Sequence, residues 1–247
     1  MSVIDEIAYK NQLRTHHPME KFFFALITLV IGLISSSVIP PIIILAVMGC
    51  LVIYKGKVSY KVYIKLMLLP SVFLILGIIP ILLSIQIHSI SSIKVSIPKD
   101  GLSIAGFLII RALASTTCLY FLILSTPITE ILYVLKKIKV PILLREIMFL
   151  MYRFIFLYID TANKIYIAQK SRGGYSKLKA SYYSISQLII MLFLKSSYRG
   201  HMTYKALKAR GYDGELKAIE LEYQASRKNW VIIAVFEILL LTITLKA

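Results

Sequence analysis

The sequence predicts an all-α, polytopic membrane protein with about five transmembrane helices and a cytoplasmic set of amphipathic helices. Three observations predict this class. Of the 247 residues, 58% are hydrophobic, and the mean hydropathy is +0.77. The chain nevertheless carries 29 Lys and Arg against 12 Asp and Glu, a combination that soluble globular domains rarely show. The apolar residues are also gathered in runs long enough to cross a bilayer.

Five apolar runs approach the roughly 20 helical residues that a ~30 Å hydrocarbon core requires. The second and fifth are short. The first twenty residues are polar and charged and lack the pattern of a cleaved signal peptide, so we expect the first span to target the protein to the membrane. The five predicted spans are Lys21 to Ile39, Pro40 to Tyr54, Leu66 to Ile87, Leu102 to Ser125 and Trp230 to Leu245.

Basic residues concentrate in alternate connections, and this asymmetry orients the spans. The connection Ser35 to Pro41 has no charge, whereas the N-terminal segment and the second connection are basic, so we expect a cytoplasmic N-terminus. Residues 1–127 then form a membrane domain with four spans, residues 128–228 are cytoplasmic or interfacial, and residues 229–247 form the last span. The basic residues concerned are Lys10, Arg14, Lys21, Lys55, Lys57, Lys61 and Lys65.

The net charge of +17 has an ordinary explanation in such a protein. Basic cytoplasmic loops follow the insertion rule and are attracted by anionic lipids, so a multi-pass protein of the cell membrane in contact with the bilayer is expected and nucleic-acid binding is not. Cys50 and Cys118 both fall in predicted spans without a pairing or metal-binding pattern.

The stretch between the fourth and fifth spans reads as a set of long helices. Pro141 breaks the pattern before a helix predicted over Ile142 to Arg172, in which Glu146, Arg153 and Asp160 recur every seven residues and form a polar stripe. We expect this helix to lie along or beneath the bilayer surface. The alternative is a sixth span, which would place the following charged segment outside and break the orientation rule. A second helix is predicted from about Ser181 to Arg210, and a charged one over Glu215 to Lys228.

A hexapeptide is repeated in this stretch. Ala168-Gln169-Lys170-Ser171-Arg172-Gly173 recurs thirty-eight positions later as Ala206-Leu207-Lys208-Ala209-Arg210-Gly211. Each copy is typical of the last turn of a helix, with a Gly placed to adopt the left-handed conformation and an Arg next to it. One such end reads as a structural cap. Two matching ends indicate a partner with two equivalent pockets.

Motifs for catalysis and for nucleotide binding are missing from the sequence. It contains no G-x-x-x-x-G-K-S/T phosphate loop, dinucleotide fingerprint, H-E-x-x-H, Cys-x-x-Cys or G-x-S-x-G. We predict no catalytic residues, no metal site and no cofactor bound by this chain. His16 and His17 are adjacent and could form a metal pair, but neighbouring residues do not share a helix face, so we expect exposed interfacial histidines instead.

Two charges fall near the middle of predicted spans. Arg111 lies in the fourth span and Glu237 in the fifth, and an unpaired Arg at that depth costs about 2.5 to 3.5 kcal/mol on insertion scales. Either the two side chains form an ion pair, or each is satisfied separately by backbone carbonyls or lipid headgroups. The sequence leaves both alternatives open.

The order of these features resembles the transmembrane T component of energy-coupling-factor (ECF) transporters, most closely the cobalt-type CbiQ branch. The resemblance runs through nearly the whole chain, and Ala209-Arg210-Gly211-Tyr212-Asp213-Gly214 is its sharpest part. Ser171-Arg172-Gly173 corresponds to the family's other Ala-Arg-Gly motif, with Ser in place of Ala. The remaining matches are Ile4 to Asn11, His17-Pro18, Arg111 to Ala114, Ser125-Thr126-Pro127, Val140-Pro141 and Tyr152-Arg153.

The resemblance implies a non-catalytic permease subunit. Such a subunit joins a substrate-binding membrane S component to two ABC-type ATPase subunits, which hydrolyse ATP with Mg. Two arginines would insert into grooves on the ATPases. They are Arg172, which lies between Ser171 and Gly173, and Arg210, which lies between Ala209 and Gly211. Cobalt is the expected cargo, and nickel, biotin and other vitamins remain alternatives. A membrane enzyme or a lone channel is expected less, because the sequence shows neither clustered acidic residues nor a repeat within the membrane spans.

Overall fold

The computed structural model describes residues 3–82, 84–89, 92–96, 101–212, 223 and 226–246, and most of these residues are helical. The chain divides into two units, residues 1–134 with 222–247, and residues 135–221. The helices are α1 (Val3–Lys10), α2 (Pro18–Ile34), α3 (Ile39–Cys50), α4 (Tyr60–Leu82), α5 (Gly101–Ser125), α6 (Ile128–Lys137), α7 (Ile142–Ser171), α8 (Leu178–Ala209) and α9 (Arg227–Lys246). A 3-10 turn covers Gln12–Thr15, and a π-helical turn, Leu51–Lys55, extends α3.

The predicted spans correspond to helices of the first unit. Three helices among the described residues are long and apolar enough to cross a membrane, and they match the third, fourth and fifth predicted spans. The second predicted span is the shorter apolar helix Ile39–Lys55. The first corresponds to α2, whose 17 residues extend about 26 Å at 1.5 Å per residue. The all-α membrane class is therefore confirmed.

The end of the third predicted span was wrong. The helix ends at Leu82, not at Ile87, and is followed by strand β1 (Ser84–Ser89), which pairs antiparallel with β2 (Ser92–Ser96). The backbone register places Ile85 opposite Val95. Polar and β-branched residues alternate through β1, and this period of two favours a strand, whereas the high average hydropathy of the window had favoured a continued helix.

The core of the first unit lies where α2, α3, α5 and α9 meet. Met48, Cys118, Leu124 and Leu240 are completely buried there. The helix faces that point away from this core are also apolar. On α4, for example, Phe73 is 77% exposed. In a membrane, such faces contact lipid, and the backbone hydrogen bonds of each helix are satisfied internally.

The second unit consists mainly of α7 and α8, which form an antiparallel α7–α8 hairpin. Three hydrogen bonds fix the direction: the Gln169 amide donates to the Ser184 carbonyl (2.9 Å), the Tyr158 hydroxyl to the Ser196 carbonyl (3.5 Å) and the Tyr212 hydroxyl to Glu146 (2.6 Å). Residues earlier in α7 bond to residues later in the chain on the α8 side, so the two helices run in opposite directions. Both observed helices lie within three residues of their predicted bounds.

The interfacial location predicted for α7 stays a prediction. Neither α7 nor α8 is among the helices of the described region that are apolar enough to be candidate spans. The charged helix predicted over Glu215 to Lys228 lies mostly outside the described residues, as does the turn at Asp213-Gly214. α9 begins at Arg227, three residues before the predicted start of the last span.

Candidate functional site

The two repeated hexapeptides end their helices with the same backbone geometry. In α7 the Gly173 amide donates to the Lys170 carbonyl (3.0 Å) and the Gly174 amide to the Gln169 carbonyl (2.9 Å). In α8 the Gly211 amide donates to the Lys208 carbonyl (3.1 Å), and the amide that follows donates to the Leu207 carbonyl (3.1 Å). Each pair of bonds is a Schellman motif. The sequence repeat is therefore also a structural repeat.

Both glycines adopt the left-handed conformation that the sequence predicted. Gly173 has φ 73° and Gly211 has φ 76°. The arginines before them occupy the cap position, with φ −91° and ψ 11° at Arg172 and φ −95° and ψ 12° at Arg210. A residue with a Cβ at either Gly position would strain the backbone, which explains why glycine follows arginine in both copies.

The two ends, Ser171–Gly173 (the first Arg-Gly end) and Ala209–Gly211 (the second Arg-Gly end), are exposed throughout. No side-chain hydrogen bond or ion pair of Arg172 or Arg210 occurs among the described residues. The surroundings are strongly cationic, because residues 135–212 contain fifteen Lys and Arg against two Asp and Glu. Two exposed guanidinium groups in such a field favour an acidic or carbonyl-rich partner.

The first Arg-Gly end is braced by side chains that sequence analysis did not single out. The Tyr175 hydroxyl donates to the Gln169 side-chain oxygen (2.8 Å), and the Ser184 hydroxyl donates to the Gly174 carbonyl (2.8 Å). A Cβ on Gly174 would lie 2.6 Å from the Ser184 hydroxyl oxygen. The second glycine of Gly173-Gly174 therefore allows α8 to approach the end of α7 closely. That adjacent pair was the only sign of this contact in the sequence.

The second Arg-Gly end is braced differently. Leu207 takes the place of Gln169, and the stabilising contact comes from Tyr212, whose hydroxyl donates to the Glu146 carboxylate (2.6 Å) near the start of α7. Glu146 belongs to the polar stripe that the sequence predicted on this helix. One function of the stripe is therefore to hold the end of α8.

The antiparallel arrangement places the two ends at opposite extremes of the α7–α8 hairpin. The first end lies at the turn between the helices, and the second lies at the far end of α8. Since α8 has 32 residues, the two ends are separated by about 48 Å along its axis. A separation of this size is too large for one small pocket and suits two separate binding surfaces.

Pro141 precedes α7 as predicted, in an extended conformation with φ −50° and ψ 141°. The break before it includes Lys139 in the left-handed region, with φ 65°. The Arg145 side chain donates from Nε to the Val140 carbonyl (3.1 Å) and closes this turn. The break therefore consists of a defined turn as well as a proline.

Comparison with known proteins identifies the family. A sequence model of the CbiQ cobalt transport protein family matches residues 9–219, which is most of the chain. The chain belongs to the CbiQ family. The CbiQ cobalt transport protein of Salmonella typhimurium is 26% identical over 229 residues, covering 87% of this chain and 99% of that protein. The family match and the apolar helices identify the chain as a membrane component of cobalt transport.

Two other relatives extend the comparison. An uncharacterized protein of Methanocaldococcus jannaschii is 32% identical over 245 residues, covering 97% of this chain and 91% of that protein. A putative fused cobalt transport protein CbiMQ of Methanocorpusculum labreanum is 33% identical over 219 residues, covering 86% of this chain and 37% of that protein. In the fused relative, the CbiQ-like part is thus a minor share of a longer chain.

The two intramembrane charges of this CbiQ-family chain have different neighbours. Glu237 is buried and accepts a 2.6 Å hydrogen bond from the Thr28 hydroxyl on α2. The Arg111 guanidinium carbon lies 5.8 Å from the centre of the Phe107 ring, one turn earlier on α5. Among the described residues no ion pair joins Arg111 to Glu237, and both alternatives that the sequence left open stay predictions.

Sequence analysis also missed a buried charged cluster at the end of the membrane helices. The Lys21 ammonium donates to Glu130 (2.7 Å) and to the Ser125 carbonyl (3.0 Å), and the two charged side chains are 4% and 1% exposed. Burial raises the pKa of the Glu130 carboxyl, and the Lys21 ammonium acts in the opposite direction. The sequence pointed to Lys21 only as a basic residue at the start of the first span, and to Ser125-Thr126-Pro127 only as part of the resemblance. Their role here is to bind the start of α6 to α2.

The described residues also bear on metal binding. No group of three or more His, Cys, Asp or Glu side chains in the described part of the chain could hold a metal ion. The His17 ring makes T-shaped contacts with the rings of Tyr133 and Tyr223, with its centre 5.9 and 6.1 Å from theirs. His16 lies 3.2 Å from the Asn229 amide nitrogen. His17 is buried and His16 is half-buried, so the expectation of exposed histidines was wrong.

Proposed function

We propose that this chain is the transmembrane coupling subunit of an ECF-type, ATP-driven uptake transporter, and that cobalt ion is the cargo. In this proposal two ABC-type ATPase subunits bind the chain from the cytoplasm, and a substrate-binding S component contacts it in the membrane. The observation that carries the proposal is the pair of matching, exposed Arg-Gly ends at opposite extremes of one helical hairpin.

The chemistry of the two ends supports docking to protein grooves. A guanidinium group presents a planar fork of donors and binds a carboxylate or helix-terminal carbonyls at two points, which a Lys ammonium does not reproduce. The Schellman ends hold each Arg at the tip of a rigid helix. Two ATPase subunits of the same kind offer two equivalent grooves, and a separation of about 48 Å allows each groove to receive one end.

The remaining surface of the α7–α8 hairpin supports contact with apolar partners. None of the residues of α7 is buried, although side chains such as Leu143 and Met151 are large and apolar. On α8, Phe193 is 69% exposed. Exposed apolar areas of this extent mark protein or membrane interaction sites. The bilayer and the S component would cover them, and the fused relative named CbiMQ is in keeping with a CbiM-type partner.

In the proposed mechanism the chain converts closure of the ATPase pair into movement in the membrane. ATP binding, with Mg, would bring the two ATPases together and shift the two Arg-Gly ends relative to each other. The long helices α7 and α8 would carry that displacement towards the S component, as helix shifts do in other switching proteins. This chain supplies no catalytic group for ATP hydrolysis in the proposal.

The test uses the complex of this chain with the ATPases and S component of its native host in proteoliposomes. Arg172→Ala and Arg210→Ala should each lower ATP-driven cobalt uptake at least tenfold, because each removes a bidentate contact, and less ATPase should co-purify. Lys170→Ala and Lys208→Ala are matched controls, since each removes a cation two residues earlier and should leave uptake within about twofold. Normal uptake in both Arg variants would refute the proposal. Competition of nickel or biotin with cobalt uptake tests which cargo the transporter carries.

A further inference from the structure

A short N-terminal segment contacts both pieces of chain that connect the two units. The segment covers Asn11–Lys21. The incoming connection, residues 125–134, leads through α6 into the second unit, and the outgoing connection, residues 223 and 226–229, leads back into α9. All three pieces belong to the first unit. Any force that passes between the units along the backbone must pass through these two connections.

The incoming connection is bound through buried charges. Lys21 donates to Glu130 at 2.7 Å and to the Ser125 carbonyl at 3.0 Å. On the other side of the carboxylate, Arg14 Nε lies 3.6 Å from Glu130 Oε1. The Asn11 amide donates to the Leu124 carbonyl (2.8 Å) at the end of α5. Because Lys21 and Glu130 are almost fully buried, separating them would leave two uncompensated charges, and the contact resists sliding.

The outgoing connection is bound by the adjacent residue of α2. The Glu20 carboxylate, 2% exposed, accepts a hydrogen bond from the Ser226 amide (3.1 Å) and another from the Asn229 side chain (3.0 Å). The rings of Tyr133 and Tyr223 lie 5.2 Å apart, so the two connections also touch each other. Both connections are therefore held at one place, the first turn of α2.

We propose that Lys21, Glu20 and Glu130 are positioning residues that anchor both connections of the coupling unit to α2. This inference rests on the proposed function, since it assigns the place where movement of the α7–α8 hairpin enters the membrane helices. A flexible connection would absorb the displacement of the hairpin, whereas this anchor delivers it to α2. The buried ion pair makes the anchor stiff. The two hydrogen bonds of Glu20 make the outgoing connection move together with the incoming one.

The test compares cobalt uptake with ATP hydrolysis in the reconstituted complex. In Glu130→Gln the ratio of cobalt imported to ATP hydrolysed should fall about tenfold, while the ATPases still co-purify and hydrolyse ATP. A merely destabilised subunit would reduce the amount of complex and leave this ratio unchanged. The double variant Lys21→Met/Glu130→Leu replaces the pair by apolar side chains of similar volume, which often preserves folding, and its ratio should fall as well. Lys21→Arg keeps the ion pair and should retain most of the ratio.

The exposed ion pair of α1 provides the matched control. Lys10 and Glu6 lie 2.6 Å apart on the surface, and Lys10→Gln/Glu6→Gln should leave the ratio unchanged. A normal ratio in both Glu130→Gln and the apolar double variant overturns the anchor and leaves the proposed function intact. Failure of the unaltered chain to bind the ATPases overturns the proposed function instead, so the two failures are distinguishable.

Discussion

At the scale of single residues, the repeated glycines owe their identity to backbone conformation. Gly173 and Gly211 have positive φ, and a Cβ at either position would meet no atom within 4 Å. The requirement is therefore one of conformation and not of space. The neighbouring Arg residues have no such constraint in the described structure, because no side chain of that region binds them. In the proposed function, docking to a partner explains why arginine stands at both positions.

Alanine substitution of these glycines should be destabilising. Gly173→Ala and Gly211→Ala should each cost about 1 kcal/mol, because an L-residue is strained at positive φ. Gly200 is the matched control: it lies within α8, also with nothing within 4 Å of its Cβ position, and Gly200→Ala should stabilise by about 0.5 to 1 kcal/mol. Thermal unfolding in detergent should show shifts of about 2–4 °C in opposite directions. A stabilised Gly211→Ala would contradict the left-handed assignment.

At the scale of helices, local pattern predicted the elements that depend on local interactions. The bounds of α7 and α8, the break at Pro141 and the capping glycines follow from residues within a few positions of each other. The β-hairpin after α4 was missed, because a hydropathy window averages away a period of two. The anchor around Lys21 was missed for a different reason: Lys21 and Glu130 are 109 positions apart, and no local pattern pairs them.

The hydrogen bond between Thr28 on α2 and Glu237 on α9 should contribute to the free energy of unfolding. Thr28→Val removes the hydroxyl that binds Glu237 and should cost about 1 to 3 kcal/mol, because a buried carboxylate oxygen loses its partner. In double-mutant cycles, Thr28→Val with Glu237→Gln should be non-additive, whereas Arg111→Ala with Glu237→Gln should add within about 0.5 kcal/mol. Unfolding by denaturing detergent measures each variant. A coupling above 1 kcal/mol between Arg111 and Glu237 would show that the two charges pair after all.

At the scale of the whole molecule, charge asymmetry decides which side of the membrane each loop occupies. The connection between α2 and α3 is uncharged, and residues 135–212 carry fifteen Lys and Arg against two Asp and Glu. The insertion rule therefore predicts that the turn between α7 and α8 lies on the cytoplasmic side. A crossing by α7 would place that turn, and the first Arg-Gly end beside it, on the outer side, out of reach of the cytoplasmic ATPases of the proposed function.

Cysteine labelling in intact cells would test this orientation. With Cys50 and Cys118 replaced by alanine, Ser36→Cys lies in the uncharged connection and Ser176→Cys in the turn between α7 and α8, and both serines are exposed. A membrane-impermeant maleimide should label Ser36→Cys in intact cells and Ser176→Cys only after the cells are opened. Each variant is the control for the other, because both are the same isosteric Ser→Cys change and differ only in the side of the membrane on which the cysteine is expected. Labelling of Ser176→Cys from outside would mean that α7 crosses the membrane, and docking of cytoplasmic ATPases at Arg172 would then be impossible.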